Sequence, residues 1–173
     1  MSRTLVLGGS RSGKSAHAES LLEGRDDVTY LATSDPRPDD AEWTARIAAH
    51  RARRPAAWTT KETTNPGELV LPGTYLVDSV TTWVTAMMDA SGVWDGGQRA
   101  RDRLSRRVDE LLEAWVMTPA HVVAVSDEVG LGVVPETASG RIFRDTLGTV
   151  NQRLAATADE VWFVVAGLPQ RLR

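Results

Sequence analysis

Gly8, Gly9, Ser10, Arg11, Ser12, Gly13, Lys14 and Ser15 follow directly on an apolar run, Thr4-Leu5-Val6-Leu7. The eight residues match G-x-x-x-x-G-K-[ST], the phosphate-binding loop that joins a strand to a helix. Each residue type has a physical task there. Glycines let the backbone curl until several N–H groups face one anion. The helix that opens near Lys14 adds the positive end of its dipole. Lys14 is a mobile charge for the β and γ phosphates, and the Ser15 hydroxyl is a natural Mg²⁺ ligand. A nucleoside triphosphate is the expected ligand.

Three other places carry chemistry. Tyr75-Leu76-Val77-Asp78 is an apolar run ending in an acid. Beside a phosphate loop such an acid holds Mg²⁺ directly or through water, although many strands end in Asp for turn chemistry alone. Ser126-Asp127-Glu128 ends another apolar run. Either carboxylate could serve as general base or assist the metal, or simply cap a turn. Trp43, Ile47 and His50 share one face of a predicted helix, which allows His50 a packing role. Arg46, Arg51, Arg53 and Arg54 surround it, however, and make a local anion site. A neutral imidazole beside such a site is a competent nucleophile toward phosphorus. His17 and His121 are expected to be packing or structural residues.

Positioning these groups takes a sheet. Strand-type runs recur at Thr4–Leu7, Val28–Ala32, Thr74–Val77, His121–Val125 and Val161–Val165, mostly continuous, as in strands buried on both faces. Helices are predicted over Lys14–Leu22, Asp39–Arg53, Gln98–Trp115 and Ser139–Ala158. Pro55–Pro72, Ser91–Gly97 and Val129–Thr137 read as loops, the last a candidate active-site loop. The alternation predicts one α/β domain with a mostly parallel, doubly wound sheet, helices on both faces and the phosphate loop at its carboxyl edge.

Bulk composition narrows the classes. The 173 residues suit one compact domain. The formal net charge of −3 argues against a protein that coats nucleic acid or anionic membrane. The absence of cysteine rules out disulfides and thiolate sites and fits a reducing compartment. No apolar stretch is long enough to span a bilayer, and the first strand begins too early for a signal peptide. A cytoplasmic location is expected. Six tryptophans are dispersed, which suits packing better than base stacking.

Taken together, these blocks resemble the bifunctional adenosylcobinamide kinase / adenosylcobinamide-phosphate guanylyltransferase family of cobalamin biosynthesis. The resemblance rests on GGSRSGKS, YLATS at 30–34, ARIAAHRARRP at 45–55 and W-x-T-x-E at 58–62. It continues through VDSVTTWVT at 77–85, SDEVGLGVVPE at 126–136 and FRDTLGTVNQRLAATADEVWFVVAGLP at 143–169. It covers almost the whole chain and implies a P-loop NTPase domain with a RecA-like sheet.

The resemblance implies two reactions. ATP or GTP phosphorylates the aminopropanol hydroxyl of adenosylcobinamide; GMP then passes from GTP to adenosylcobinamide phosphate through a GMP–histidine intermediate, releasing pyrophosphate. The reactive histidine falls on His50, with Lys14 as the second catalytic residue. Nucleotide contacts fall on Gly8 to Ser15, Thr33, Ser34, Asp35, Arg51, Ala52, Arg53, Arg54, Glu62 and Asp78, and Mg²⁺ on Ser15 and Asp78. A homo-oligomer, typically a trimer, is implied, with no nucleic acid partner and no membrane insertion. Asp127 stands where Asn is commoner, Ala86 where Asn is usual and Ser79 where Cys is common. The kinase's general base is left open among Asp127, Glu128 and solvent. A P-loop kinase of another small alcohol would need no histidine nucleophile. A nucleotide-gated regulatory protein would bind GTP without forming an adduct.

Overall fold

The computed structural model describes residues 1–34, 48 and 54–173. A seven-stranded sheet runs in the order β3-β2-β4-β5-β1-β6-β7. Its strands are β1 (Ser2–Gly8), β2 (Val28–Ala32), β3 (Thr59–Glu62), β4 (Thr74–Asp78), β5 (His121–Asp127), β6 (Glu160–Val165) and β7 (Leu168–Arg171). All neighbours are parallel except β6 and β7. The helices among the described residues are α1 (Lys14–Ser20), α2 (Val80–Ser91), α3 (Gln98–Met117) and α4 (Ala138–Thr157). None is long and apolar enough to cross a membrane.

Alternation along each strand divides the core in two. Leu5, Leu7, Tyr75, Val77, Val122 and Ala124 face α2, α3 and α4, with Trp115, Leu147 and Leu154 fully buried among them. Val6, Leu76, Val123, Val125 and Val164 face the other way, against Ala18, Leu22, Tyr30 and Trp58. Both faces are dry, which explains the continuous apolar runs. Each large side chain so buried contributes about 1.5–3 kcal/mol.

Several elements depart from the sequence expectation. The stretch 55–72, read as loop, contains β3 and a 3-10 turn at Pro66–Val70. Strand β3 is exposed along its whole length, so no apolar run announces it. Helix α2 went unassigned because its opening, Val80-Thr81-Thr82-Trp83-Val84-Thr85, is rich in β-branched residues. Its start is fixed instead by Ser79, which accepts from Thr82 N while Thr82 reaches back to Ser79 N. A two-residue turn, Ala166-Gly167, sends β7 back along β6; both residues have positive φ, 51° and 79°. The predicted helix over 39–53 lies outside the described residues apart from Ala48, which is helical and exposed.

Candidate active site

Strand register sets the site. Gly8 pairs with Asp127, Asp78 with Val125, and Ala32 with both Asp78 and Glu62. The carboxyl edge therefore presents Glu62, Thr33, Asp78, Asp127 and the start of the phosphate loop in one row. Ligands bind at such an edge in open α/β sheets.

The loop itself is tightly supported. Ser12 N donates to Gly9 O at 3.2 Å, and Gly167 N donates to Ser12 O at 2.7 Å. The β6–β7 turn thus buttresses the loop from behind. Gly8 has no room for a side chain: a Cβ would press on Ser12 Oγ and lie 2.6 Å from Val164 O. Gly13, with φ 94°, is the N-cap of α1, and Lys14 N, the first N–H of the helix, donates to Ser12 Oγ at 3.4 Å. Arg11 is exposed at the loop tip with φ 56°.

Lys14 is largely shielded, its side chain 13% exposed. Its Nζ lies 2.5 Å from Asp127 Oδ1 and donates to Gly9 O at 3.2 Å. Ser15 is half-buried on the first turn of α1. Asp78 is half-buried at the end of β4, where its Oδ2 accepts from Tyr30 OH at 2.9 Å. Burial, and then the Asp78 charge, push the Tyr30 phenol far above its ordinary range, so it stays a hydrogen-bond donor. The Arg54 guanidinium lies over the Tyr30 ring, 3.5 Å from its centroid.

The predicted site residues divide by role. Gly8, Gly9, Ser10, Arg11, Ser12, Gly13, Lys14 and Ser15 form the loop as expected. Asp78 and Arg54 come together through Tyr30. Thr33 is buried and spends its hydroxyl locally, donating to Ser79 O at 2.6 Å and accepting from Ser79 N at 3.1 Å. It ties the end of β2 to the start of α2. Ser34 follows it, half-buried; Glu62 is exposed at the end of β3. Asp35, His50, Arg51, Ala52 and Arg53 lie outside the described residues. Glu128, one of the two candidate bases, is turned onto its own loop, where Oε1 accepts from Gly130 N at 2.5 Å. Asp127 faces Lys14 instead.

Sequence reasoning missed Tyr30, Thr81 and Asn151. Tyr30 stands two residues before a strand end, where its polar tip can reach the carboxyl edge. Asn151 is an amide next to Val150 in the apolar stripe of α4, and a polar residue in a buried position needs partners. Those partners are Ser126 and Asp127. Of the other histidines, His17 packs edge-on against Trp162 at 4.9 Å. His121 bonds Ser2 across the amino ends of β5 and β1.

The architecture is similar to that of a prototypical ATPase from a type III secretion system of pathogenic bacteria. That likeness has a TM-score of 0.58 and 13% identity, covering 98% of this chain and 56% of the other. It speaks to the fold alone. Whole-chain relatives are much nearer in sequence. The bifunctional adenosylcobalamin biosynthesis protein CobU of Salmonella typhimurium is 42% identical over 181 residues, covering 98% of each chain. Its namesake in Escherichia coli is 41% identical over 186 residues, also 98% of each. CobP of Pseudomonas aeruginosa, with the same description, is 40% identical over 178 residues, covering 99% of this chain and 97% of its own. Residues 4–172 match the family described as cobinamide kinase / cobinamide phosphate guanyltransferase. The chain belongs to that family.

Proposed function

We propose that the chain phosphorylates the aminopropanol hydroxyl of adenosylcobinamide, using ATP or GTP, and then transfers GMP from GTP to the new phosphate through His50. At the level of reaction class it is a transferase of adenosylcobalamin biosynthesis, with kinase and guanylyltransferase activities. The observation that carries the reading is the joint one: a formed phosphate loop with Lys14 at the sheet edge, in a chain matching that family over residues 4–172.

In the kinase step the acceptor hydroxyl oxygen attacks the γ-phosphorus, its bond to the β–γ bridging oxygen breaks, and the hydroxyl proton passes to a base. Both nearby carboxylates are engaged in the structure, Asp127 with Lys14 and Glu128 with Gly130, so the base stays open among Asp127, Glu128 and solvent. In the guanylyl step an imidazole nitrogen of His50 attacks the α-phosphorus of GTP and pyrophosphate leaves. The phosphate of the acceptor then attacks the same phosphorus and frees the histidine. Dividing one displacement between two anions lowers each barrier. Lys14 and the guanidiniums of Arg51, Arg53 and Arg54 offset the charge that builds on the departing phosphates. Glu62 could accept from guanine N1–H and its amino group, which would favour GTP.

The donors near the loop suit Mg²⁺, since the Ser15 hydroxyl and the Asp78 carboxylate offer oxygen only. No cluster of three or more His, Asp or Glu side chains among the described residues could hold a metal alone, so phosphates and water would complete the shell. Bound there, Mg²⁺ would neutralise the triphosphate for both reactions. By the same reading the enzyme is a cytoplasmic homo-oligomer, a trimer by resemblance.

Intact mass after incubation with GTP and Mg²⁺, kept near neutral pH or above, tests the proposal. The wild type should gain one GMP residue and His50→Asn should gain none. Transfer of the γ-phosphate without any GMP adduct would instead leave a P-loop kinase with no histidine intermediate.

A further inference from the structure

The end of β5 is held by hydrogen bonds with three neighbouring elements. Ser126 is fully buried and donates its hydroxyl to Asn151 Oδ1 at 2.6 Å. Asn151, 4% exposed, donates Nδ2 to the Asp127 carbonyl at 2.9 Å. Asp127 N donates to Thr81 Oγ1 at 2.8 Å. Glu128 N donates to Gly8 O at 3.1 Å. The 126–128 backbone is thereby fastened to α4, to α2 and to β1 at once. The carboxylate this frame carries reaches Lys14 Nζ at 2.5 Å, and the ammonium also bonds Gly9 O, inside the loop.

Lysine has three donors and no acceptor. An ammonium donating to a carboxylate and to a loop carbonyl has one donor left for a phosphate. We propose that Asp127 is an internal counter-ion that occupies Lys14 in the nucleotide-free enzyme and competes with the triphosphate for it, and that Asn151 and Thr81 are positioning residues that keep the carboxylate in range. The inference rests on the phosphate loop as a triphosphate site, but not on His50 or on the acceptor. Its physical logic is simple. A carboxylate at a shielded ammonium is a strong partner, and the same carboxylate repels an arriving polyanion. Removing its charge while keeping its shape frees the lysine and lifts the repulsion. The arrangement holds affinity down, and a weaker grip on nucleotide speeds release of the spent diphosphate.

Binding of a fluorescent GTP analogue to the full-length protein tests this, with and without Mg²⁺. Asp127→Asn should bind about ten-fold more tightly than wild type, with the larger gain in the absence of Mg²⁺, where the ligand carries more charge. In a Lys14→Met background the same substitution should give a smaller gain, since it then relieves only the repulsion and not the competition for the ammonium. Asn151→Ala should lower the melting temperature yet tighten binding, a change of sign that a purely structural role would not produce. Unchanged or weaker binding by Asp127→Asn overturns the inference. Weakening confined to the Mg²⁺ complex would make Asp127 a metal ligand instead. In both cases the GMP adduct at His50 still reports separately on the guanylyltransferase.

Discussion

Tyr30 OH and Asp78 Oδ2 meet at 2.9 Å across adjacent strands, and the Arg54 guanidinium closes over the same ring. One buried phenol therefore aligns the carboxylate expected to face the metal and the arginine expected to face phosphate. Tyr30→Phe should cost about 1–3 kcal/mol at neutral pH, because a hydrogen bond to a charged acceptor is lost. It should also raise the Mg²⁺ concentration needed for half-maximal nucleotide binding. A pH arm checks the cause. The folded phenol titrates far above the unfolded value of about 10, so its stabilisation is complete below that pH. As the pH rises further, only the unfolded chain loses the proton, and stability falls. Denaturant midpoints above pH 10 should drop in the wild type and less in Tyr30→Phe.

Gly8→Ala tests the close packing behind the loop. The new methyl would meet Ser12 Oγ and stand 2.6 Å from a backbone oxygen, Val164 O, which has no rotamer to escape through. Overpacking of that kind costs about 1–3 kcal/mol. The displaced Ser12 also carries the carbonyl that holds Gly167. Nucleotide binding should be lost by more than the fall in melting temperature accounts for. Gly9→Ala, where a Cβ meets nothing within 4 Å among the described residues, should be mild by comparison in the same thermal and binding measurements.

Acid sensitivity has an identifiable source in His17. Burial holds its pKa below 6.5, and its Nε2 is buried with no hydrogen-bond partner among the described residues. A depressed folded pKa favours the neutral ring, so the native state is fully stabilised above about pH 6.5. On acidification the unfolded chain takes up the proton first, and stability is lost as the pH falls through the lower folded value. His121 is shifted the same way, also by burial. His17→Phe keeps the edge-on contact with Trp162 and removes the orphaned nitrogen. Its urea midpoint should fall less than the wild type's between pH 8 and pH 5. An equal fall would assign the acid response to His121 or to the carboxylates.

The parts of this molecule that read plainly from sequence are those whose physics is local. The phosphate loop is one, since its glycines, lysine and serine act through their own backbone. Strands β1, β2, β4, β5 and β6 are others, because burial on both faces leaves an uninterrupted apolar run. The doubly wound architecture followed from their alternation with amphipathic stretches such as Leu104, Val108, Leu111 and Trp115. What escaped depended on partners distant in sequence. Exposed β3 exists because β2 offers it an edge. Helix α2 overrides its β-branched start through the Ser79–Thr82 capping box. The Asp127–Lys14 contact needs a register between β1 and β5 that no single segment encodes.

Thr33 is expected among the nucleotide contacts, and in the structure its hydroxyl ties β2 to α2. It donates to Ser79 O at 2.6 Å, accepts from Ser79 N at 3.1 Å and lies 2.8 Å from Thr82 Oγ1. Ser79 follows Asp78 directly, so this tie sets where that carboxylate stands. Thr33→Val keeps the shape and deletes the oxygen. Ser79 N retains Thr82 Oγ1 at 3.2 Å as a second acceptor, which limits the penalty to about 1–2 kcal/mol, while Ser79 O keeps Thr82 as donor at 3.0 Å. A residue that touched nucleotide would, on losing its hydroxyl, weaken ATP and GTP binding whether or not Mg²⁺ is present. A residue that acts through Asp78 should weaken only the Mg²⁺-supported binding, several-fold, and leave metal-free affinity within about two-fold. Comparing the two affinities in Thr33→Val, against Thr33→Ser as the variant that restores the oxygen, separates those roles: equal losses with and without Mg²⁺ would mark Thr33 as a nucleotide contact.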